Sequence, residues 1–265
     1  MFNKIDDFEL GKAIGVGQFG QVWLARHREE GFVCAIKIFD LSKIQDEAQV
    51  RNIRREIEIH LNMEHKNIIG MYGYFYDRNN LYCVLEYAGN GDLYGFINNE
   101  TGNKDRSEKT VRKYVRDVAE ALEYLHDQNI IHRDIKPENI LIGCDGRAKL
   151  ADFGWSVCDQ EHRRATFCGT PDYLSPEICQ KKSYSMAVDI WCLGILTYEM
   201  LAGAIPFKAE DKSIRSTKKA ILEGEVSYPA SFSTLVREFI AGCTEKDPAK
   251  RMTVKETLAH RWLSQ

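Results

Sequence analysis

At residues 85–92 the chain reads LEYAGNGD, an apolar strand-like stretch that runs into Gly-Asn-Gly and stops there. Before this point apolar residues fall at near-alternate positions; after it they recur every three or four. The first spacing suits a pleated strand and the second an amphipathic helix. The break therefore divides the 265 residues into a small strand-built region and a larger helical one, an α+β organisation with a linker between.

Within the first region, FELGKAIG, QVWLARH and FVCAIKIF carry the β-branched and aromatic residues of a small antiparallel sheet. One helical pattern interrupts it at 46–63, where Val50, Ile53, Ile57 and Leu61 share a face and Glu56 and His60 lie close to it. In the second region, 107–129 opens on Ser107 as an N-cap and sets Val111, Val115, Val118, Leu122 and Leu125 in one stripe. Residues 188–203 are apolar nearly all round, which predicts a central, buried helix.

Composition narrows the function classes. With 36 basic against 39 acidic residues, the net charge of −3 offers no global field for wrapping nucleic acid. Eight cysteines without a C-x-x-C pair read as reduced thiols rather than a disulfide framework or a zinc site, which points to an intracellular chain. The opening MFNKIDDFEL lacks the form of an export signal, and the longest apolar stretch, 190–198, is too short to span a bilayer. Neither a direct nucleic-acid partner nor a membrane is expected.

Four stretches carry chemistry. In 15-GVGQFGQV-22 the glycines allow backbone N–H groups to close over phosphate oxygens, although a glycine-rich hairpin would read the same. A dinucleotide site would need a helix directly after it, and a strand pattern follows instead. In 34-CAIK-37, Lys37 is either a snorkelling surface residue or an ammonium enclosed by Glu56 and by nucleotide phosphates. The stretch 131-IHRDIKPENIL-141 supplies H-R-D-x-x-x-x-N: Asp134 to orient an attacking hydroxyl, Lys136 to neutralise a phosphoryl group, Asn139 to hold a metal ion. At 152-DFG-154, Asp152 is the natural second metal ligand.

Together with SPE at 175–177, these motifs resemble a eukaryotic protein kinase catalytic domain over essentially the whole chain. The resemblance is closest to the Aurora group of serine/threonine kinases, through DFGWS at 152–156, RRATFCGTPDYLSPE at 163–177, RREIEI at 54–59 and MYGYF at 71–75; KPEN at 136–139 marks the serine/threonine class. It implies the bilobal kinase fold, with a small sheet lobe at 1–85, a hinge at 86–89 and a mainly helical lobe at 90–265. It implies ATP and Mg2+ in a cleft between the lobes. Gly15, Val16, Gly17 and Gly20 would cover the phosphates, Val22 and Ala35 sandwich the adenine, Lys37 hold the α- and β-phosphates against Glu56, Leu85 back the pocket, and Glu86 and Ala88 offer backbone groups. Asp134 would be the catalytic base, with Asn139 and Asp152 on two magnesium ions.

The same resemblance makes 152–177 the activation loop, with Thr166 as the activating phosphosite. Arg163, Arg164 and Arg133 would repel one another until a phosphate, at about −1.5 to −2 charges, bridged them. Arg-Arg-Ala-Thr also reads as a substrate. Protein substrates with arginine near the acceptor Ser or Thr would meet Glu138, Glu199 and Asp92, while Thr170 would select the acceptor beside Asp134 and Lys136. Glu177 should pair with Arg251, and Asp189 should brace the catalytic loop. His60 is read as a packed core residue rather than a pH sensor, and Cys168 invites a redox reading. An activator segment docking near the Glu56 helix is implied, with Trp23, Phe32 and Tyr72 lining the dock or filling the core. Mitotic work at spindle, centrosome or chromosomes, in cytoplasm and nucleus, follows from the family. Two other readings stay open: another basophilic kinase, and a pseudokinase scaffold, although the latter usually lacks one of Lys37, Asp134, Asn139 or Asp152.

Overall fold

The computed structural model describes residues 4–17, 20–44, 46–98, 105–154, 156–158, 171–209, 211 and 213–265. The chain forms two compact units, residues 1–89 and 90–265. In the first, β1 (Phe8–Gly17), β2 (Gly20–His27), β3 (Val33–Asp40), α1 (Glu47–Leu61), β4 (Met71–Tyr76) and β5 (Asn80–Glu86) follow in order. The strands make one antiparallel sheet in the order β1-β2-β3-β5-β4.

Alternation along the strands gives this sheet two different faces. Cys34, Ile36, Tyr82 and Val84 pack with Phe8, Ala25 and Phe75 into one core cluster. Phe39 and Cys83, on the other face, pack with Ile53 and Ile57 of α1. Asp46 caps α1 by accepting from the Gln49 N–H, which satisfies one of the otherwise orphaned donors of the first turn. The expected stripe on α1 divides: Ile53 and Ile57 are buried, whereas Val50 and Leu61 remain 47% and 39% exposed.

The second unit contains α2 (Leu93–Asn98), α3 (Glu108–Asp127), β6 (Ile130–Ile131), β7 (Ile140–Ile142), β8 (Ala148–Leu150), β9 (Val157–Cys158), α4 (Pro176–Cys179), α5 (Ala187–Ala202), α6 (Ile214–Glu223), α7 (Thr234–Cys243) and α8 (Val254–Ala259). Ser107 caps α3 through the Thr110 N–H, and all five residues of its apolar stripe are buried. Such a cap is worth about 1 kcal/mol. The central helix α5 is buried nearly throughout and packs on α3 and α7. It stops at Gly203, whose left-handed φ of 69° a β-carbon would disfavour. Among the described residues no helix is long and apolar enough to cross a membrane.

Candidate active site

In the first unit, strand register decides which side chains meet. Lys37 lies opposite Val22 on one neighbouring strand and opposite Cys83 on the other, while Ala35 lies opposite Leu85. Directly opposed residues share a face, so Val22, Ala35, Lys37 and Leu85 all stand on the α1 side of the sheet. There the Lys37 Nζ meets Glu56 Oε1 at 2.5 Å and lies 5.0 Å from the Phe39 ring centre. Only 23% and 13% of the two side chains are exposed. Burial pushes the neighbouring Cys83 thiol up to about 12, so this cysteine is no nucleophile.

The glycine-rich hairpin pairs Gly15 with Val22, Val16 with Gln21 and Gly17 with Gly20, leaving the Val16 side chain exposed. Gly20 has a reason of its own to be glycine: a Cβ there would run into the Ile38 carbonyl oxygen of β3. Glu86 is tied at both ends to Gly70, its N–H donating to the Gly70 carbonyl at 2.8 Å and its carboxylate accepting from the Gly70 N–H at 3.1 Å. Ala88 follows, half-buried.

The catalytic-loop residues converge in the second unit. Asp134 is buried, and its Oδ2 accepts from Lys136 Nζ at 2.8 Å and Asn139 Nδ2 at 2.7 Å. Asn139 Nδ2 donates also to the Asp134 carbonyl, which leaves the Asn139 amide oxygen for a cation. The β7–β8 hairpin pairs Ile140 with Leu150, and the Ala151 N–H donates to the Asn139 carbonyl at 2.9 Å. This register delivers Asp152 beside Asn139. Asp152 is exposed and holds a strained left-handed φ of 64°. Among the described residues no three His, Cys, Asp or Glu side chains gather into a metal cage. An amide and a carboxylate oxygen nevertheless suit a hard cation that takes its remaining oxygens from phosphate and water.

His132 fastens these pieces. The Asp134 N–H donates to its Nδ1 at 3.3 Å, so the proton sits on Nε2, which donates to the Ala151 carbonyl at 3.2 Å. Burial lowers the pKa of His132 and keeps the ring neutral, as this tautomer requires. Asp189 of α5 braces the loop from below, accepting from the His132 N–H at 3.0 Å and the Arg133 N–H at 2.8 Å. Burial alone would raise the Asp189 carboxyl; the His126 hydrogen bond and charge, with those of its other donors, hold it below the usual carboxylate range. Glu177 and Arg251 form a bidentate pair at 2.8 and 3.0 Å, both side chains almost wholly buried.

The acidic candidates separate. The Tyr173 hydroxyl donates to Glu199, whose pKa is raised by burial and by nearby Glu138 and Asp172. Glu138 itself is exposed. Asp92, by contrast, accepts from the Gly95 N–H at 2.7 Å and works as a cap for α2. Asp172 and Tyr173 were not singled out from the sequence, although they stand in GTPDYLSPE beside the residues that were. Nor was Tyr184, whose hydroxyl takes a hydrogen bond from Arg133 Nη1 at 2.6 Å and whose ring lies 5.9 Å from the guanidinium. Sequence offers no signal for a pair separated by 51 positions. Arg163, Arg164, Thr166, Cys168 and Thr170 lie outside the described residues, as does Trp155. His60 is buried, with Nε2 2.6 Å from the Ile69 carbonyl oxygen.

A groove of about 530 Å³ opens on the first unit where α1 leaves Val50 and Leu61 uncovered, with Tyr74 and Tyr76 of β4 on its other side. Trp23, Phe32 and Tyr72 do not line it. Trp23 donates to Gln21 in its own strand, while Phe32 stacks on His27 and meets Tyr72 edge-on.

Residues 8–263 match the model of the protein kinase domain family. An Aurora kinase of Encephalitozoon cuniculi is 45% identical over 259 residues, covering 98% of this chain and 94% of the relative. One from Schizosaccharomyces pombe is 44% identical over 257 residues, covering 97% and 71%, and mouse Aurora kinase C is 39% identical over 259 residues, covering 98% and 92%. Identity of this extent sets aside the scaffold reading and the more distant basophilic kinases. The chain belongs to the protein kinase family and, within it, to the Aurora kinases, serine/threonine protein kinases that phosphorylate protein substrates from ATP with a divalent metal.

Proposed function

We propose that the enzyme transfers the γ-phosphate of Mg-ATP to Ser or Thr in arginine-containing protein sites, and that phosphate on Thr166 switches it on. The observation that carries the reading is the Asp134–Lys136–Asn139 cluster, because among the described residues one Asp134 oxygen has no partner while the other holds two donors. The free oxygen accepts the hydrogen of the attacking hydroxyl, and Lys136 offsets charge on the transferred group. The metal, held by Asn139 and Asp152, neutralises phosphate charge when bound. Lys37 positions the α- and β-phosphates, with Glu56 fixing its ammonium; Gly15, Val16, Gly17 and Gly20 cover them, and Val22, Ala35, Leu85, Glu86 and Ala88 receive the base.

Arginine preference is supported by Glu199 and Glu138 lying within electrostatic reach of each other, a pair whose mutual repulsion a guanidinium would relieve. Asp92 is the weaker acidic candidate because it already serves α2. Thr170 would select the acceptor, and Arg133 would receive the Thr166 phosphate. Residues 86–89 would act as a hinge. An activator segment bearing apolar side chains would occupy the groove on α1, next to the helix that carries Glu56. Spindle or chromosomal proteins in cytoplasm and nucleus are the expected substrates by kinship.

The test incubates the protein with labelled ATP, Mg2+ and an arginine-containing peptide, beside Asp134→Asn, Lys37→Met and Thr166→Ala. Asp134→Asn should lower kcat by about 10³-fold, within the range of lost acid–base groups. Full turnover by Lys37→Met contradicts the catalytic assignment, and full activity of Thr166→Ala contradicts the switch. Replacing the peptide's arginines with glutamine should raise KM; no change removes the arginine claim.

A further inference from the structure

The second unit carries a cluster of cations that the transfer chemistry does not use. Lys181 and Lys182 form the exposed turn after α4, and Arg215 and Lys219 project from α6, with Lys208 exposed just ahead of it. None of these five enters an ion pair or side-chain hydrogen bond with a described residue. The two groups are neighbours, because α4 and α6 pack together. A second observation ties them: burial pushes the Cys179 thiol at the end of α4 up to about 11, while the ammonium of Lys218 on α6 pulls it down.

The arrangement runs against what a merely solvated helix requires. Exposed helices usually interleave signs at i, i+4, and like charges at that spacing are unfavourable. Arg215 and Lys219 stand at i, i+4 with the same sign, and the one acid of α6, Glu223, falls at i, i+4 from Lys219 alone and forms no ion pair with it among the described residues. Asp211 is occupied in accepting from the Ser213 N–H. Lys181 adds a left-handed φ of 56°, a cost for a side chain other than glycine or asparagine.

Position suggests what the cations are for. Helix α6 also packs on the turn Pro171–Tyr173, which holds Asp172 and Tyr173 next to Glu199. An acidic patch for arginine and a basic face thus sit on adjoining elements of one unit. We propose that the face formed by Lys181, Lys182, Arg215 and Lys219 docks an acidic segment of the protein substrate, outside the arginine-containing acceptor site. The partner is an Asp/Glu-rich peptide rather than nucleic acid, since the chain as a whole is net negative and the patch adjoins the substrate residues. The proposal rests on the arginine-directed reading of Glu138 and Glu199 for its geometry.

The test uses the full chain and two labelled peptides that share one arginine-containing acceptor core. One is extended by a short Asp/Glu run and the other by Asn/Gln. Fluorescence anisotropy should give about ten-fold tighter binding of the acidic peptide at low salt, lost at high salt, and KM should follow with kcat unchanged. In the variant Lys181→Gln, Lys182→Gln, Arg215→Gln, Lys219→Gln the advantage should vanish while the neutral peptide keeps its kcat and KM. Equal binding of the two peptides by the unaltered protein overturns the proposal. So does equal loss for both peptides in the variant, or tighter binding of a single-stranded oligonucleotide at the same four residues. Exchanging the core arginines for glutamine tests the arginine reading separately: that reading can fail while the tail advantage persists, and the reverse.

Discussion

Two enclosed ion pairs, one taken from each unit, are built differently. Lys37 Nζ meets Glu56 Oε1 at 2.5 Å, and the two side chains stay 23% and 13% exposed. Arg251–Glu177 is bidentate at 2.8 and 3.0 Å, with exposures of 0% and 3%, and Arg251 also donates to the Ala187 and Glu245 carbonyls. The second pair has spent its donors on the protein. The first stays partly open to solvent, as a group meant to reach a ligand's phosphates must. Closure marks a strut, and access marks a site.

Breaking the closed pair should have the largest effect on the fold. Arg251→Met leaves the Glu177 carboxylate buried without its partner, a loss of about 3–5 kcal/mol. Denaturant unfolding should show it, with activity falling in step with the folded fraction. A melting curve like that of the unaltered protein would mean that the pair is no strut. Lys37→Met sharpens the contrast from the other side. Activity should drop about 10²- to 10³-fold, while stability falls by about 1 kcal/mol or less. Were Lys37→Met to unfold the protein as Arg251→Met does, the distinction between site and strut would fail.

Acid should separate the two units by a smaller margin. His132 is kept neutral by burial, so below its ordinary pKa of about 6.5 the unfolded chain takes up a proton that the folded one refuses. Stability from this source is complete above that pH and declines beneath it. Asp189 acts in the same sense at lower pH: its depressed carboxyl contributes above about pH 4 and is lost as pH falls through the folded value. Hydrogen-exchange protection factors, corrected for the intrinsic rate at each pH, should therefore fall in β6, β7 and the catalytic loop on going from pH 7.5 to 5.5, before they do in β2 and β3. Protection that grows on acidification would contradict the neutral His132 tautomer.

Local signals were legible where the chain itself completes them. Ser107 and the five apolar residues after it predict a capped, one-faced helix, and α3 is that helix, because cap and stripe lie within one element. The stripe on α1 was legible only as a stripe: periodicity gives a face but not what covers it, and Val50 and Leu61 are left at a groove. Gly20 was read as phosphate cover, while its proximity to the Ile38 carbonyl is a property of the sheet that no local pattern encodes. Motif spacing named Asp134, Asn139 and Asp152, yet the hairpin register that brings Asn139 and Asp152 together appears only in the fold. Asp172, Tyr173 and Tyr184 escaped because their partners lie far along the chain.

Arg133 offers the finest form of the comparison, since it is neither closed like Arg251 nor open like Lys37. Its guanidinium donates to the Tyr184 hydroxyl at 2.6 Å and lies over that ring, yet it stands half-buried in the loop that would receive a Thr166 phosphate. A hydrogen bond to a neutral hydroxyl is worth about 1 kcal/mol net, while a phosphate offers a charge-assisted bond about twice as strong. The phosphate should win, and the hydroxyl should matter only until it arrives. Tyr184→Phe removes the hydroxyl and keeps the ring. It should lower the melting temperature of the unphosphorylated protein by an amount equivalent to about 1 kcal/mol and leave the Thr166-phosphorylated protein nearly unchanged. Equal losses in both forms would show that Arg133 stays with Tyr184, making it a strut like Arg251 and depriving the switch of its receiving charge.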